Sequence, residues 1–112
     1  MNTPFCLSYN VNVLNSRYES QIDSFRSKIE KHLSEQDAFY NVGKDIHVDT
    51  TIIGEIEASG LNDDARKKNV KETITLAFES LAEDSNIPST AIAVFCVVMT
   101  GNIAQPFTFK AI

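Results

Sequence analysis

The sequence has few of the residues and motifs that assign a protein to a specialised class. Its two cysteines, Cys6 and Cys96, have neither CxxC spacing nor the spacing of metal ligands. Each lies within a predicted strand, where a free cysteine usually packs as a small apolar side chain. No apolar run approaches the ~20 residues of a membrane helix, and the N-terminus lacks the basic start and apolar segment of a secretory signal. We therefore expect a cytoplasmic protein without a membrane partner.

Basic charge is also scarce. The chain has 10 Lys and Arg against 15 Asp and Glu, which gives a net charge of −5. A protein that binds phosphate backbones needs a basic patch, so we expect no nucleic-acid partner. The sequence contains no nucleophile elbow, phosphate loop or zinc pattern. We expect no catalytic residue, no cofactor and no metal, and an enzyme is the less favoured class.

What the sequence does contain indicates one globular domain over residues 1–112. Its 43% hydrophobic and 22% charged residues are those of an ordinary globular protein, and a chain of this length can bury a core without disulfides or metals. Apolar and polar residues alternate in residues 5–14 and in residues 46–58, which predicts two strands with one buried face each. Gly54 lies in the buried set of the second strand, which indicates a bulge or the close approach of a helix.

Two amphipathic helices are predicted between the strands. Ser16 and Glu19 match a capping box, and apolar residues then recur every three or four positions, so we expect a helix over residues 17–34. The second helix is capped by Asn62 or Asp63 and extends to about residue 84. The predicted buried stripes are Tyr18, Ile22, Phe25, Ile29 and Leu33 in the first helix and Val70, Ile74, Ala77, Phe78 and Leu81 in the second.

Residues 90–100 form the only run that is apolar on both faces of an extended strand. Such a strand needs a cover on each side. Gly101 and Asn102 then turn the chain, and residues 103–112 can fold back as a partner strand. Pro106 removes a backbone donor, which places this last strand at a sheet edge.

The order of elements depends on residues 38–42. If they form a short strand, the chain reads βαββαβ plus one strand, which is the ferredoxin-like arrangement with an added C-terminal hairpin strand and a mostly antiparallel sheet. If they form a loop, the alternative is βαβαββ with a mixed sheet. Both are α+β two-layer sandwiches with two helices on one face of the sheet. We favour the first.

Helices on one face leave the other face of the sheet open. Both side-chain sets of residues 90–100 are apolar, so whichever set the helices bury, the other faces water or a partner. Alternation alone does not choose between the sets. The residues predicted to bind a partner therefore come from both sets and from the last strand, and they are Val94, Phe95, Val97, Met99, Phe107 and Phe109.

The favoured function is a non-enzymatic protein that forms a homodimer or binds another protein through this apolar surface. An alternative is a small-molecule site, with or without catalysis, enclosed between the two packed sheets of a dimer. Its polar lining would be Ser8, Asn10, His47 and Asp49. A third interpretation, an acidic inhibitor of a basic target, rests on net charge alone.

A cluster of positive charge lies near the start of the second helix, at Arg66, Lys67 and Lys71. Positive charge at this end opposes the helix dipole. Solvated and salt-screened side chains are the favoured interpretation. The alternative is a patch that binds an anion or an acidic partner, and it predicts that replacement of these residues by Gln weakens binding without loss of stability.

Overall fold

The computed structural model of the chain describes residues 2–44 and 50–112. Its elements in chain order are β1 (Asn2–Val13), a 3-10 turn (Ser16–Tyr18), α1 (Glu19–Ser34), β2 (Phe39–Lys44), β3 (Thr51–Glu57), α2 (Asp63–Asp84), β4 (Ile92–Thr100) and β5 (Phe107–Lys110). These strands form one antiparallel sheet with the order β2-β3-β1-β4-β5. β1 is therefore the central strand, and β2 and β5 lie at the edges.

The α+β class, with two helices and an antiparallel sheet, is confirmed. Residues 39–42 of the uncertain segment belong to β2, which pairs with β3, so the alternative order βαβαββ is wrong. β5 pairs with the outer side of β4. The fifth strand makes the sheet order different from that of a simple four-stranded split βαβ unit.

The two helices pack on one face of the sheet and enclose a continuous core. The ring of Phe78 in α2 lies 6.0 Å from the ring of Tyr9 in β1 and 6.1 Å from the ring of Phe25 in α1, measured between centroids. Both predicted helical stripes are buried in this core, except that Tyr18 is half-buried at its edge. On β1 the buried side chains alternate with more exposed ones, as a period of two requires.

The first helix begins differently from the prediction. Asn15, not Ser16, supplies the cap, because its Oδ1 accepts a hydrogen bond from the Arg17 amide at 3.0 Å. One 3-10 turn follows before α1 begins at Glu19, so the predicted capping box is wrong. The prediction for α2 is confirmed, since Asn62 Oδ1 accepts from the Ala65 amide at 2.9 Å.

Gly54 lies where two strands approach closely. A Cβ atom at this position would lie 2.9 Å from the carbonyl oxygen of Tyr40. The pairing of β2 with β3 shifts register between Tyr40 and Gly43, and Asn41 within this shift has a φ of 52°. The irregularity predicted from Gly54 is thus present, but the approaching backbone belongs to β2 and not to a helix. Residues 46–49 of the predicted strand lie outside the described residues.

The pairing of β4 with β1 shows which set of β4 side chains faces the helices. Val94 lies opposite Val11, and Val98 lies opposite Leu7, and all four side chains are buried. The even-numbered residues of β4 therefore face the helices, and the odd-numbered ones Phe95, Val97 and Met99 face away. β5 is shorter than the predicted segment of residues 103–112, and it occupies the sheet edge as Pro106 predicts.

Candidate protein-interaction surface

The open face of β4 carries three large apolar side chains in a row. The exposed fractions are 46% for Phe95, 44% for Val97 and 55% for Met99, whereas Val98, between Val97 and Met99, is fully buried. Side chains two residues apart on a strand point to the same side, so the three form a continuous stripe. Most large apolar residues of a small domain are buried, and a contiguous exposed stripe is typical of an interaction site.

The stripe continues across the sheet. Met99 pairs with Cys6 of β1, and Cys6 pairs on its other side with Ile53 of β3. Ile53 is 47% exposed, and Cys6 is half-buried between its neighbours. We call the five residues Cys6, Ile53, Phe95, Val97 and Met99 the open-face patch.

Polar side chains border the open-face patch. Ser8 lies opposite Val97 and Asn10 lies opposite Phe95 on the β1 side. The Ser8 hydroxyl is 3.1 Å from the Thr51 hydroxyl, within hydrogen-bond distance. This pair therefore satisfies itself within the sheet, and a partner can cover it without leaving the two hydroxyls unpaired.

The region between β1, β4 and β5 forms an open depression of about 520 Å³. Thr108 and Lys110 complete its border, opposite Val97 and Phe95 respectively. The depression has an apolar floor and a polar border, which is the usual composition of a protein interface. It is a concave part of a sheet face and not an enclosed cavity.

Charged side chains stand at two corners of this face. Lys110 marks the β5 side. Glu55 marks the β3 side, where its Oε2 accepts a hydrogen bond from Asn41 Nδ2 at 2.7 Å. Within the part of the chain that the structure describes, the ion pairs are Asp23–Arg26 and Asp63–Arg66, so Lys110 is not part of one.

The structure corrects the predicted partner-binding set. Phe95, Val97 and Met99 lie on the open face as a binding surface requires. Val94 and Phe107 are buried toward the helices, because they alternate with the outward residues of their strands. Phe109 lies on the same inner side and is half-buried, with its ring 6.1 Å from that of Phe107. These three residues therefore do not belong to the surface.

The predicted small-molecule lining is present only in part. Ser8 and Asn10 border the depression beside Phe95 and Val97. His47 and Asp49, the other two residues of that prediction, lie outside the described residues. The structure thus places two of the four side chains at the open-face patch.

The predicted anion patch is divided by the fold. Arg66 Nη1 donates a hydrogen bond to the Asn102 carbonyl at 3.2 Å and lies 3.5 Å from a carboxylate oxygen of Asp63. Lys71 is exposed and Lys67 is half-buried. The Arg66 side chain therefore joins α2 to the β4–β5 loop. These contacts indicate a structural role for Arg66.

The two cysteines differ in chemistry because they face opposite sides of the sheet. Both are free. Burial raises the pKa of the Cys96 thiol to about 12, so this thiol stays protonated and unreactive at neutral pH. Among residues 2–44 and 50–112 there is no cluster of three or more His, Cys, Asp or Glu side chains placed to hold a metal ion. Neither α1 nor α2 has an apolar stretch of the length that crossing a membrane requires.

No family model matches the chain, and no curated protein or solved structure matches it either.

Sequence reasoning missed two residues of the open-face patch. Ile53 follows the polar alternation of its strand, and only its pairing with Cys6 makes it part of an apolar surface. Cys6 shares its side of β1 with serine and asparagine residues, so the sequence did not indicate that it lies beside Met99. The available signal was Ile53 itself, a β-branched apolar residue on a face predicted to be polar.

Proposed function

We propose that this chain is a non-enzymatic interaction protein that binds a protein surface, including that of a second copy, through the open-face patch. The observation that carries this proposal is the row of three exposed apolar side chains on β4, joined through Cys6 to Ile53. Contact with a partner would remove this apolar area from water and would stabilise the complex by roughly 25 cal/mol for each Å² buried.

The residue composition of the patch is typical of a specific protein–protein interface. Phe and Met are enriched in interfaces, where charged residues are depleted at the centre and polar residues form the rim. Phe95 and Met99 stand at the ends of the β4 stripe, and Asn10, Thr108 and Lys110 stand at the rim. A sheet face of this kind packs readily on a second sheet, with about 10 Å between the two.

We also propose that the α+β fold is ferredoxin-like and that the protein is cytoplasmic. The order β2-β3-β1-β4 with both helices on one side supports a ferredoxin-like core to which β5 is added. This fold supports many unrelated functions, so it does not by itself favour one. Two free cysteines, one of them on the open face, support a reducing compartment such as the cytoplasm.

A small-molecule site is the second candidate, because the depression of about 520 Å³ combines an apolar floor with Ser8, Asn10 and Lys110. Its volume is within the range of ligand pockets. It would need a second sheet to close it, so this candidate also depends on association through the same face. The acidic-inhibitor interpretation has only the net charge in its support.

Light scattering after size-exclusion chromatography tests the proposal with the substitution Val97→Glu. A charge in the centre of the patch should shift an associating wild-type chain to monomer. Leu76→Glu is the matched control, since Leu76 is an apolar residue of α2 that is 66% exposed and lies away from the patch, and it should leave the molar mass unchanged. An oligomer that persists in Val97→Glu, with the variant folded by circular dichroism, contradicts the proposal.

A further inference from the structure

The registers of the strands place two opposite charges symmetrically about the open-face patch. Cys6, Ser8, Val97 and Met99 form a square of paired neighbours on β1 and β4. From this square, Lys110 lies one strand outward on β5 and one residue pair further along. Lys110 is paired with Phe95, the next outward residue after Val97.

Glu55 occupies the position opposite to Lys110. It lies one strand outward from the square on β3 and one residue pair further along in the reverse direction, paired with Pro4. With strands about 4.8 Å apart and alternate residues about 6.8 Å apart, roughly 25 Å separate the two backbone positions. The two side chains are too far apart to pair within one molecule.

We infer that the surface that covers the open-face patch is a second copy of this chain, packed face to face about a two-fold axis that exchanges the Lys110 and Glu55 corners. The inference rests on the proposed function and adds the identity of the partner and the geometry of the complex. A two-fold interface uses the same patch on both copies. Here the patch is self-complementary, because its positive corner and its negative corner are equidistant from its centre.

This rotation has consequences for charge. It brings Lys110 of each copy over Glu55 of the other, so the dimer gains two cross-interface ion pairs. Two sheets packed face to face lie about 10 Å apart, a gap that a lysine and a glutamate side chain can span together. Exposed rim pairs of this kind add specificity of orientation more than they add affinity.

The same rotation also joins the apolar residues. It places Phe95 of one copy close to Ile53 of the other, at the two ends of the patch, while the Ser8–Thr51 hydroxyl pair keeps its internal hydrogen bond. The strands of the two sheets would cross at roughly 70°, near the orthogonal class of sheet packing. A closed two-fold dimer would cover the exposed stripes of both copies, so association through this face would stop at the dimer.

Charge reversal tests the geometry. Sedimentation equilibrium at low ionic strength is measured on the wild type, Lys110→Glu, Glu55→Lys and the double variant. Each single reversal should raise the dimer dissociation constant by about ten-fold, because it places like charges together twice. The double variant should return to within about three-fold of the wild type, since the pairs are restored with their signs exchanged.

Two controls separate charge from other effects. Lys68→Glu makes the same charge change on the exposed surface of α2 and should not alter the dissociation constant. Asn41→Ala removes the hydrogen bond to Glu55 without a charge change, and it should also leave the dimer intact. A loss of dimer in Asn41→Ala would attribute the effect of Glu55→Lys to β2 and overturn the proposed pairing.

The outcomes distinguish this inference from the proposed function. A dimer that Val97→Glu dissolves but that single charge reversals leave unchanged, or that the double variant does not restore, overturns the two-fold geometry and leaves the proposed function standing. A dimer that Val97→Glu does not dissolve overturns both. A wild type that stays monomeric up to about 1 mM, a concentration at which only very weak association escapes detection, overturns the second copy as the partner.

Discussion

At the scale of single residues, Cys6 and Cys96 show how strand position sets side-chain chemistry. They are directly comparable, because both lie in the β1–β4 ladder and both are free. Cys96 faces the helices and is 2% exposed, whereas Cys6 faces the open side. The charged thiolate loses most of its hydration in the first position, so only the neutral thiol is stable there.

This difference predicts a dependence of stability on pH. The pKa of Cys96 rises from 9.0 in an unfolded chain to about 12 in the folded one. Its contribution to the free energy of unfolding is therefore fully present below pH 9 and falls by at most about 1.4 kcal/mol per pH unit as the pH rises toward 12. Urea unfolding at pH 8 and at about pH 10.5 should show a smaller fall for Cys96→Ala than for the wild type.

Val98→Ala serves as the matched control for this measurement. It truncates the next buried side chain on the same face of β4, leaves the Cys96 thiol in place, and should keep the wild-type fall in stability. Tyrosine and lysine side chains also titrate in this range, but they are common to all three proteins and cancel in the comparison. Equal falls in the wild type and in Cys96→Ala would contradict the prediction.

At the scale of elements, the start of the first helix shows what local sequence predicts well and where it is ambiguous. Asn15 and Ser16 are both good caps, and a capping box at Ser16 and Glu19 fits the spacing rule. The structure selects Asn15, whose backbone amide also donates to the Ala91 carbonyl together with that of Leu14. The loop before β4 therefore fixes the chain one residue earlier than local preference alone would.

Substitution of the two neighbours measures this selection. Asn15→Ala removes the hydrogen bond to the Arg17 amide and should lower the free energy of unfolding by about 1 kcal/mol. Ser16→Ala, the adjacent control, should change it by less than about 0.5 kcal/mol. Chemical denaturation of both variants gives the comparison. A larger loss of stability in Ser16→Ala than in Asn15→Ala would contradict the cap at Asn15 and favour the capping box at Ser16 and Glu19.

The elements themselves were predictable because their signals are local. Helix stripes and strand alternation repeat within a few residues, so both helices and the buried sets of β1 and β3 follow from the sequence. The face of β4 is not a local property. Its two side-chain sets are equally apolar, and only the pairing of Val94 with Val11 and of Val98 with Leu7 assigns one set to the core. Alternation therefore could not separate Val94 from Phe95, nor join Ile53 to the patch.

At the scale of the whole molecule, the β4–β5 loop is held to the rest of the fold by polar side chains. Asn102 Nδ2 donates to the Ala58 carbonyl at 3.0 Å, and its Oδ1 accepts from the Thr100 hydroxyl at 3.0 Å. Asp63 Oδ2 accepts from the Ala104 amide at 3.1 Å. These contacts join the end of β3, the start of α2 and the loop that leads to β5, so they fix the edge strand that carries Lys110.

Arg66 belongs to this junction, which leads to a prediction opposite to that of an anion patch. Its guanidinium donates to the Asn102 carbonyl and pairs with Asp63, and its side chain is 31% exposed. Arg66→Gln should therefore lower the free energy of unfolding by about 1 kcal/mol, after allowance for solvent screening. Lys71→Gln, an exposed neighbour on the same helix, should stay within about 0.5 kcal/mol of the wild type. Urea denaturation of both variants distinguishes a structural role of Arg66 from a role in an anion patch. Equal stability of Arg66→Gln and the wild type would contradict the structural role.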